Sequence, residues 1–200
     1  MNTVIVPIDF SDTSLNAAEY AAQFLAGHDG VELILYHCYD SELGEENSLE
    51  NLGNLKGRLL NFAPLNITLL AERTDDFLVE LEKLARHRLA DLVIMGITGG
   101  RSRREQRFMG SNTLKLAENK YIPVLIIPEN SQYKGMHNIL LSTDLKDVTG
   151  TIPSAPIKRI LKEFTPNLHV INVNDAHYIA LTEEHEAERN KLANMFDEYN

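Results

Sequence analysis

The sequence is short of cysteine, tryptophan and basic charge, and it has no long apolar run. Cys38 is the only cysteine, so there is no internal disulfide and no cysteine-based zinc site. A reducing, cytoplasmic setting fits that usage. No apolar stretch approaches the roughly 18–20 residues that a membrane helix needs. The opening MNTVIVPIDF has neither a basic n-region nor a long apolar h-region, so no signal peptide is expected. Lysine and arginine number 19 against 29 acidic residues, a net charge of −10. Such a chain is a poor match for nucleic-acid phosphates or an anionic membrane surface, and neither is expected as a partner. What is present is ordinary folded-protein material: 200 residues, 44% hydrophobic and 24% charged, enough for one full domain and part of another.

Two textures alternate along the chain. Short runs rich in Val, Ile and Leu occupy Thr3–Ile8, Val31–Tyr36, Asn66–Leu70, Leu92–Met95 and Val124–Ile127. Most are apolar throughout, which marks strands buried on both faces. Between them, Leu15, Ala18, Ala22 and Leu25 recur at helical spacing, as do Phe77, Leu78, Leu81, Leu84 and Ala85. Asp12 or Thr13 is a candidate cap for the first helix, and Thr74 or Asp75 for the second. Residues 40–55, acidic and rich in Gly and Asn, read as a surface loop leading into a helix around Leu55–Phe62. Strand and helix in alternation predict right-handed crossovers and a parallel sheet.

The chain also resembles itself. Val4–Asp9 (VIVPID) matches Ile139–Asp144 (ILLSTD), and Leu33–Asp40 matches Leu168–Asp175, both at an offset of 135. Equal spacing without a gap points to a duplicated unit. The first copy runs over residues 1–131 and holds five strands. The second, residues 136–200, reads as strand, helix, strand and a further helix carrying Ile179, Leu181, Leu192 and Met195, the first half of the same unit. Its missing partners leave an open edge and an apolar face. The linker Pro128–Gly135 has turn chemistry.

The chemistry concentrates after the fourth strand. Gly96, Gly99 and Gly100 follow it; a loop holding Arg101, Arg103, Arg104 and Arg107 comes next; Gly110 and Ser111 then open a helix over Asn112–Asn119. Glycines let backbone approach a ligand, and a helix start offers unpaired N–H groups and a positive dipole end to an anion. Ser111 and Thr113 add hydroxyl donors. In open parallel sheets ligands sit beyond the carboxyl ends of the strands, and Asp9 ends the first strand at that edge. The spacing is neither a Walker A loop nor a dinucleotide GxGxxG. For Asp9 the alternative is a cap of the following turn; for the glycines, tight turns; for Cys38, a small buried hydrophobe; for the arginines, a solvated loop. No HExxH, GxSxG or response-regulator constellation occurs, and the loop offers arginines but no clear base for attack on a phosphate. No catalytic residue and no resident metal is assigned.

Gly96-x-x-Gly99, a loop, then Gly110-Ser111, the opening Val4–Ser11 and the closing Ile122–Pro128 together resemble the universal stress protein family. The likeness covers about 130 residues well and the remainder as a first half of a second copy. It implies a doubly wound α/β domain with a five-stranded parallel sheet in the order 3-2-1-4-5. It also implies a stress-response binding module for ATP, with or without Mg, with at most slow ATP hydrolysis, and a homodimer paired through the fifth strand. By the same resemblance Asp9 and its backbone neighbours, Pro7 among them, hold the adenosine. Cys38 lines the base pocket. Gly96, Gly99, Gly110, Ser111, Asn112 and Thr113 hold ribose and phosphates. Ten residues separate Gly99 from Gly110, one more than in the family's nucleotide-binding pattern. The rival reading is a nucleotide-free member that acts through dimerisation and protein partners.

Overall fold

A computed structural model describes residues 1–28, 30–39, 44–97, 109–119, 121–172 and 182–199, with 109–111 described by backbone alone. The chain divides into two units, Met1–Tyr133 and Lys134–Asn200.

In the first unit the elements run β1 (Thr3–Pro7), α1 (Asp12–Phe24), β2 (Glu32–Tyr39), α2 (Gly44–Leu59), β3 (Asn66–Arg73), α3 (Phe77–His87), β4 (Leu92–Ile97), α4 (Met109–Glu118) and β5 (Val124–Pro128). The five strands are parallel and lie in the order β3-β2-β1-β4-β5. β1 is buried along its whole length, as its unbroken apolar run requires. One face of the sheet packs Ile5, Ile34, Tyr36 and Met95 against Leu81 and Leu84 of α3 and Leu116 of α4. α1 and α2 lie against the sheet as well, outside that cluster, so the domain is doubly wound. Its apolar burial, at about 25 cal/mol per Å², is the main term holding the sheet between its helices.

Several boundaries differ from the sequence reading, each for a local reason. Ser11, not Asp12 or Thr13, caps α1, its Oγ accepting from Ser14 N at 3.2 Å. Asp76, not Thr74 or Asp75, caps α3 through Val79 N at 3.2 Å, while Thr74 Oγ1 accepts from Asp76 N at 3.0 Å. The 40–55 loop is helix from Gly44 onward. Glu45 and Glu46 suit a first turn, and Ser48, Leu52, Leu55 and Leu59 form its buried stripe despite a polar composition. α4 begins at Met109, three residues before Asn112.

Small residues set the spacing of α1. Its Ala17, Ala18, Ala21 and Ala22 are buried, which brings the helix axis close to the strands. The closest approach is over β4: a Cβ on Gly96 would stand 2.5 Å from both the carbonyl oxygen and Cγ2 of Thr13. Backbone cannot yield there as a flexible side chain would.

In the second unit β6 (Asn138–Thr143) pairs in parallel with β7 (Asn167–Asn172). Between them come α5 (Val148–Thr151) and α6 (Ser154–Phe164); α7 (Glu183–Met195) and a short 3-10 helix (Asp197–Tyr199) follow. Val4 faces Leu33 and Ile139 faces Leu168, so the pairing register recurs at the offset of 135. The helices differ. Where α1 is one helix, Pro153 separates α5 from α6, because proline cannot supply the N–H that would continue the first piece. Leu161, Leu192 and Phe196 pack with Leu145, Val148 and Ile152 in this unit's core. Leu140 and Ile171 remain exposed. Asp40, Asp175, Ile179 and Leu181 lie outside the described residues.

Gly96→Ala is expected to destabilise the first unit by about 1–3 kcal/mol, the usual cost of overpacking against backbone. A urea midpoint equal to the parent's would show that α1 can move off β4.

Candidate functional site

The chain builds β2 and β3 on one side of β1, then returns to build β4 and β5 on the other. Crossover helices leave that point in opposite directions, and a crevice opens at the carboxyl edge. A cleft of about 520 Å³ lies at that edge, within the range of small-molecule sites.

Its first wall is the end of β1. Ile8 N still donates to Tyr36 O at 2.7 Å, and then the chain turns away. Asp9 is exposed, and its Oδ1 accepts from Ser11 N at 3.0 Å and Ser11 Oγ at 2.5 Å. The carboxylate thus fastens the turn that caps α1, the capping role the sequence left open, while it also lines the cleft. Phe10 holds a left-handed backbone, φ 62°, which is uncommon for a bulky residue and marks a constrained turn. Its ring lies against His37, centroids 4.8 Å apart. His37 Nδ1 is 2.7 Å from Ile8 O. A carbonyl only accepts, so Nδ1 carries a proton and donates it to Ile8 O.

Strand alternation sends Cys38 to the opposite face, beside the cluster that holds Tyr36. Burial pushes the Cys38 thiol from 9.0 up to about 11; the nearby Glu72 and Glu80 charges add to this, and a hydrogen bond with Tyr36 opposes it. Burial likewise raises Tyr36 far above the usual phenol range, and its hydroxyl donates to Glu72 Oε2 at 3.0 Å. Cys38 is therefore a neutral, partly buried wall of the cleft, not an activated thiol. The far wall is Phe77 at the start of α3, and Asn47 and Asn51 of α2 form the rim.

On the β4 side, Asn112 of α4 reaches the cleft. Thr113 is buried and donates its hydroxyl to Gly96 O at 3.1 Å, which ties α4 to the end of β4. Because α4 follows β4 through a crossover, its first N–H groups lie at the carboxyl edge without intrahelical partners. Gly110 and Ser111 occupy that first turn.

Of the sequence candidates, the structure gathers Asp9, Cys38 and Asn112 on one cleft. Pro7 stays buried in β1, and Gly96 and Thr113 hold elements together behind it. Gly99 and the loop arginines lie outside the described residues. Sequence reasoning missed Phe10, His37, Phe77, Asn47 and Asn51. The first three flank strand ends that were recognisable; the two asparagines sit where a loop was read. Among the described residues no three of His, Cys, Asp and Glu converge as metal ligands, and no helix is long and apolar enough to cross a membrane.

The raised thiol has a measurable consequence. Iodoacetamide should alkylate native Cys38 slowly at pH 8, with a rate that climbs only towards pH 11. Below pH 9.0 the thiol is neutral folded or unfolded; between 9.0 and about 11 only the unfolded chain releases the proton, so this group lowers stability as pH rises. An alkylation midpoint at or below 9.0 would contradict the buried placement.

Comparison with known proteins places this geometry. The universal stress protein family matches residues 1–128. No curated protein matches. Among solved structures, a universal stress protein in complex with cAMP is 26% identical, over 64% of this chain and 98% of that one, with a TM-score of 0.53. A protein of the family from Burkholderia pseudomallei is 20% identical, over 64% and 96%, at 0.51. A putative universal stress protein from Pseudomonas aeruginosa is 19% identical and covers 100% of this chain and 70% of its own, at 0.64. With residues 1–128 matched and a parallel sheet ordered β3-β2-β1-β4-β5, the chain belongs to the universal stress protein family.

Proposed function

We propose that the first unit binds an adenine nucleotide, ATP foremost, in the carboxyl-edge cleft, and that the protein is a regulatory module whose bound state tunes a stress-response interaction. The observation that carries this reading is the cleft itself. It lies at the strand-order reversal, with an apolar floor from Ile8, Phe10, Cys38 and Phe77 and a polar rim from Asp9 and three asparagines. A flat ring suits the floor and a hydroxylated, charged tail suits the rim. The solved relative at 26% identity holds cAMP, the same base with a ribose phosphate.

In this reading the base lies over Cys38 and the ribose hydroxyls reach Asp9. The phosphates lie at the start of α4 with Gly110, Ser111 and Asn112; Gly99, also proposed to hold them, lies outside the described residues. Gly96 and Thr113 fix the distance between β4 and α4. ATP would bring its own anionic tail and a coordinated Mg; the chain supplies amide N–H groups and the helix dipole that stabilise that charge. Without a placed base, hydrolysis is at most slow. The second unit is proposed as the first half of a second such domain, supported by the recurring register. β5, whose Val124, Leu125 and Ile126 are partly exposed, is the proposed homodimer edge. The low cysteine content suits a cytoplasmic setting.

A nucleotide-free interaction role has one observation in its favour: Gly96 and Thr113 both spend their chemistry on packing. Two measurements separate the readings. Denaturing freshly purified protein should release an adenine nucleotide to the supernatant. ATP–Mg at about 100 times its Kd should stabilise the fold by ~2.7 kcal/mol, a gain that Gly110→Val removes. No released nucleotide and no thermal shift would favour the nucleotide-free role.

A further inference from the structure

The buried stripe of α2 changes character along the helix. Leu52, Leu55 and Leu59 cover the sheet and are 0%, 3% and 0% exposed. One turn earlier the same side of the helix carries Gly44, Asn47, Ser48 and Asn51, and all four line the cleft. The spacing of these positions is that of one helix face. Apolar residues thus give way to carboxamides where the helix passes beyond the strand ends and overlies the cleft. Ser48 turns inward and donates to Gly44 O. Asn47 and Asn51 are exposed and, among the described residues, neither carboxamide has a hydrogen-bond partner. Gly44 lets this turn settle: a Cβ there would stand 2.9 Å from the Tyr39 ring.

Topology fixes which end of a ligand these amides meet. The anion-attracting start of α4 follows β4, on one side of β1; α2 follows β2, on the other. A nucleotide with its phosphates at α4 extends its base towards β2, β3 and α2. There Cys38 and Phe77 offer apolar surface to a ring face and Asn47 and Asn51 offer donor and acceptor groups to a ring edge.

We propose that Asn47 and Asn51 read the edge of the base and set the preference of this site for adenine over guanine. The proposal rests on the nucleotide reading above and deepens it. A carboxamide presents one acceptor oxygen beside N–H donors. Adenine offers a complementary pair, the N6 amino donor beside the N7 acceptor, whereas guanine offers two acceptors, N7 and O6, at the same edge. One carboxamide satisfies the adenine pair in full and leaves an oxygen opposed to an oxygen with guanine. Two carboxamides a turn apart allow one to pair with the base while the other holds its neighbouring edge or the ribose.

The test is the ratio of dissociation constants for ATP and GTP, measured by calorimetry on the full chain. The parent should favour ATP. Asn47→Ala with Asn51→Ala should reduce that preference by about tenfold or more, since one well-made bidentate pair is worth that much discrimination. Alanine is the best helix former and both positions are exposed, so α2 should persist. Circular dichroism checks this, and Asn47→Asp with Asn51→Asp provides a second variant that keeps size and loses the donors. A double variant that keeps the parent's ATP:GTP ratio would overturn this assignment and leave the nucleotide site standing. A parent that binds neither nucleotide would overturn both.

Discussion

Everything in the first unit follows from one topological constraint, the reversal of strand order beside β1. The chain lays down β2 and β3 on one flank and must come back to start β4 on the other. Parallel pairing demands that each return be a crossover, and right-handed crossovers place helices on both faces. At the reversal, no single helix covers the strand ends. The result is a crevice whose walls are the last residues of β1 and β2 and the first residues of α2, α3 and α4. Ile8 and Asp9 lie past the last paired residue of β1, and the first turns of the helices leave N–H groups without intrahelical partners.

That edge is costly to build, and the sequence shows how the cost is met. The β1–α1 turn contains a left-handed Phe10, held by the Asp9–Ser11–Ser14 hydrogen bonds and by packing on His37. The close approach of α1 to β4 requires Gly96. Thr113 is buried with its hydroxyl satisfied by Gly96 O. Residues that would be read as ligand contacts from their spacing therefore include some that hold the site in shape. Tyr36, Cys38 and Glu72 form a second support beneath the cleft, where burial keeps the phenol and the thiol neutral.

The sheet was legible because its strands are buried on both faces. Five apolar runs mark five strands, each correct to within a few residues, and the strand order came from the family resemblance. The two ends of each element were less legible. β2 continues to Tyr39 and β3 to Arg73 because edge-of-sheet positions need not be apolar. The first turns of α2 read as loop for the same reason that they matter: they carry Gly, Asn and Ser in place of Leu over the cleft, and only the stretch from Leu55 reads as helix. Composition alone cannot distinguish a polar helix start over a site from a solvated connection. Asp9 is reached from the end of β1, whereas Cys38 and Asn112 come from the family resemblance; His37 and Phe77 emerge only in the fold, where two faces of the sheet converge at one mouth.

In the proposed function, the mouth at the strand-order reversal holds the nucleotide. Hydrogen–deuterium exchange with and without ATP–Mg tests it most directly. Exchange should slow in residues 8–11, in the first turns of α2 and in the start of α4, with β6 and β7 unchanged. Protection confined to the second unit, or absent from all three segments, would contradict it.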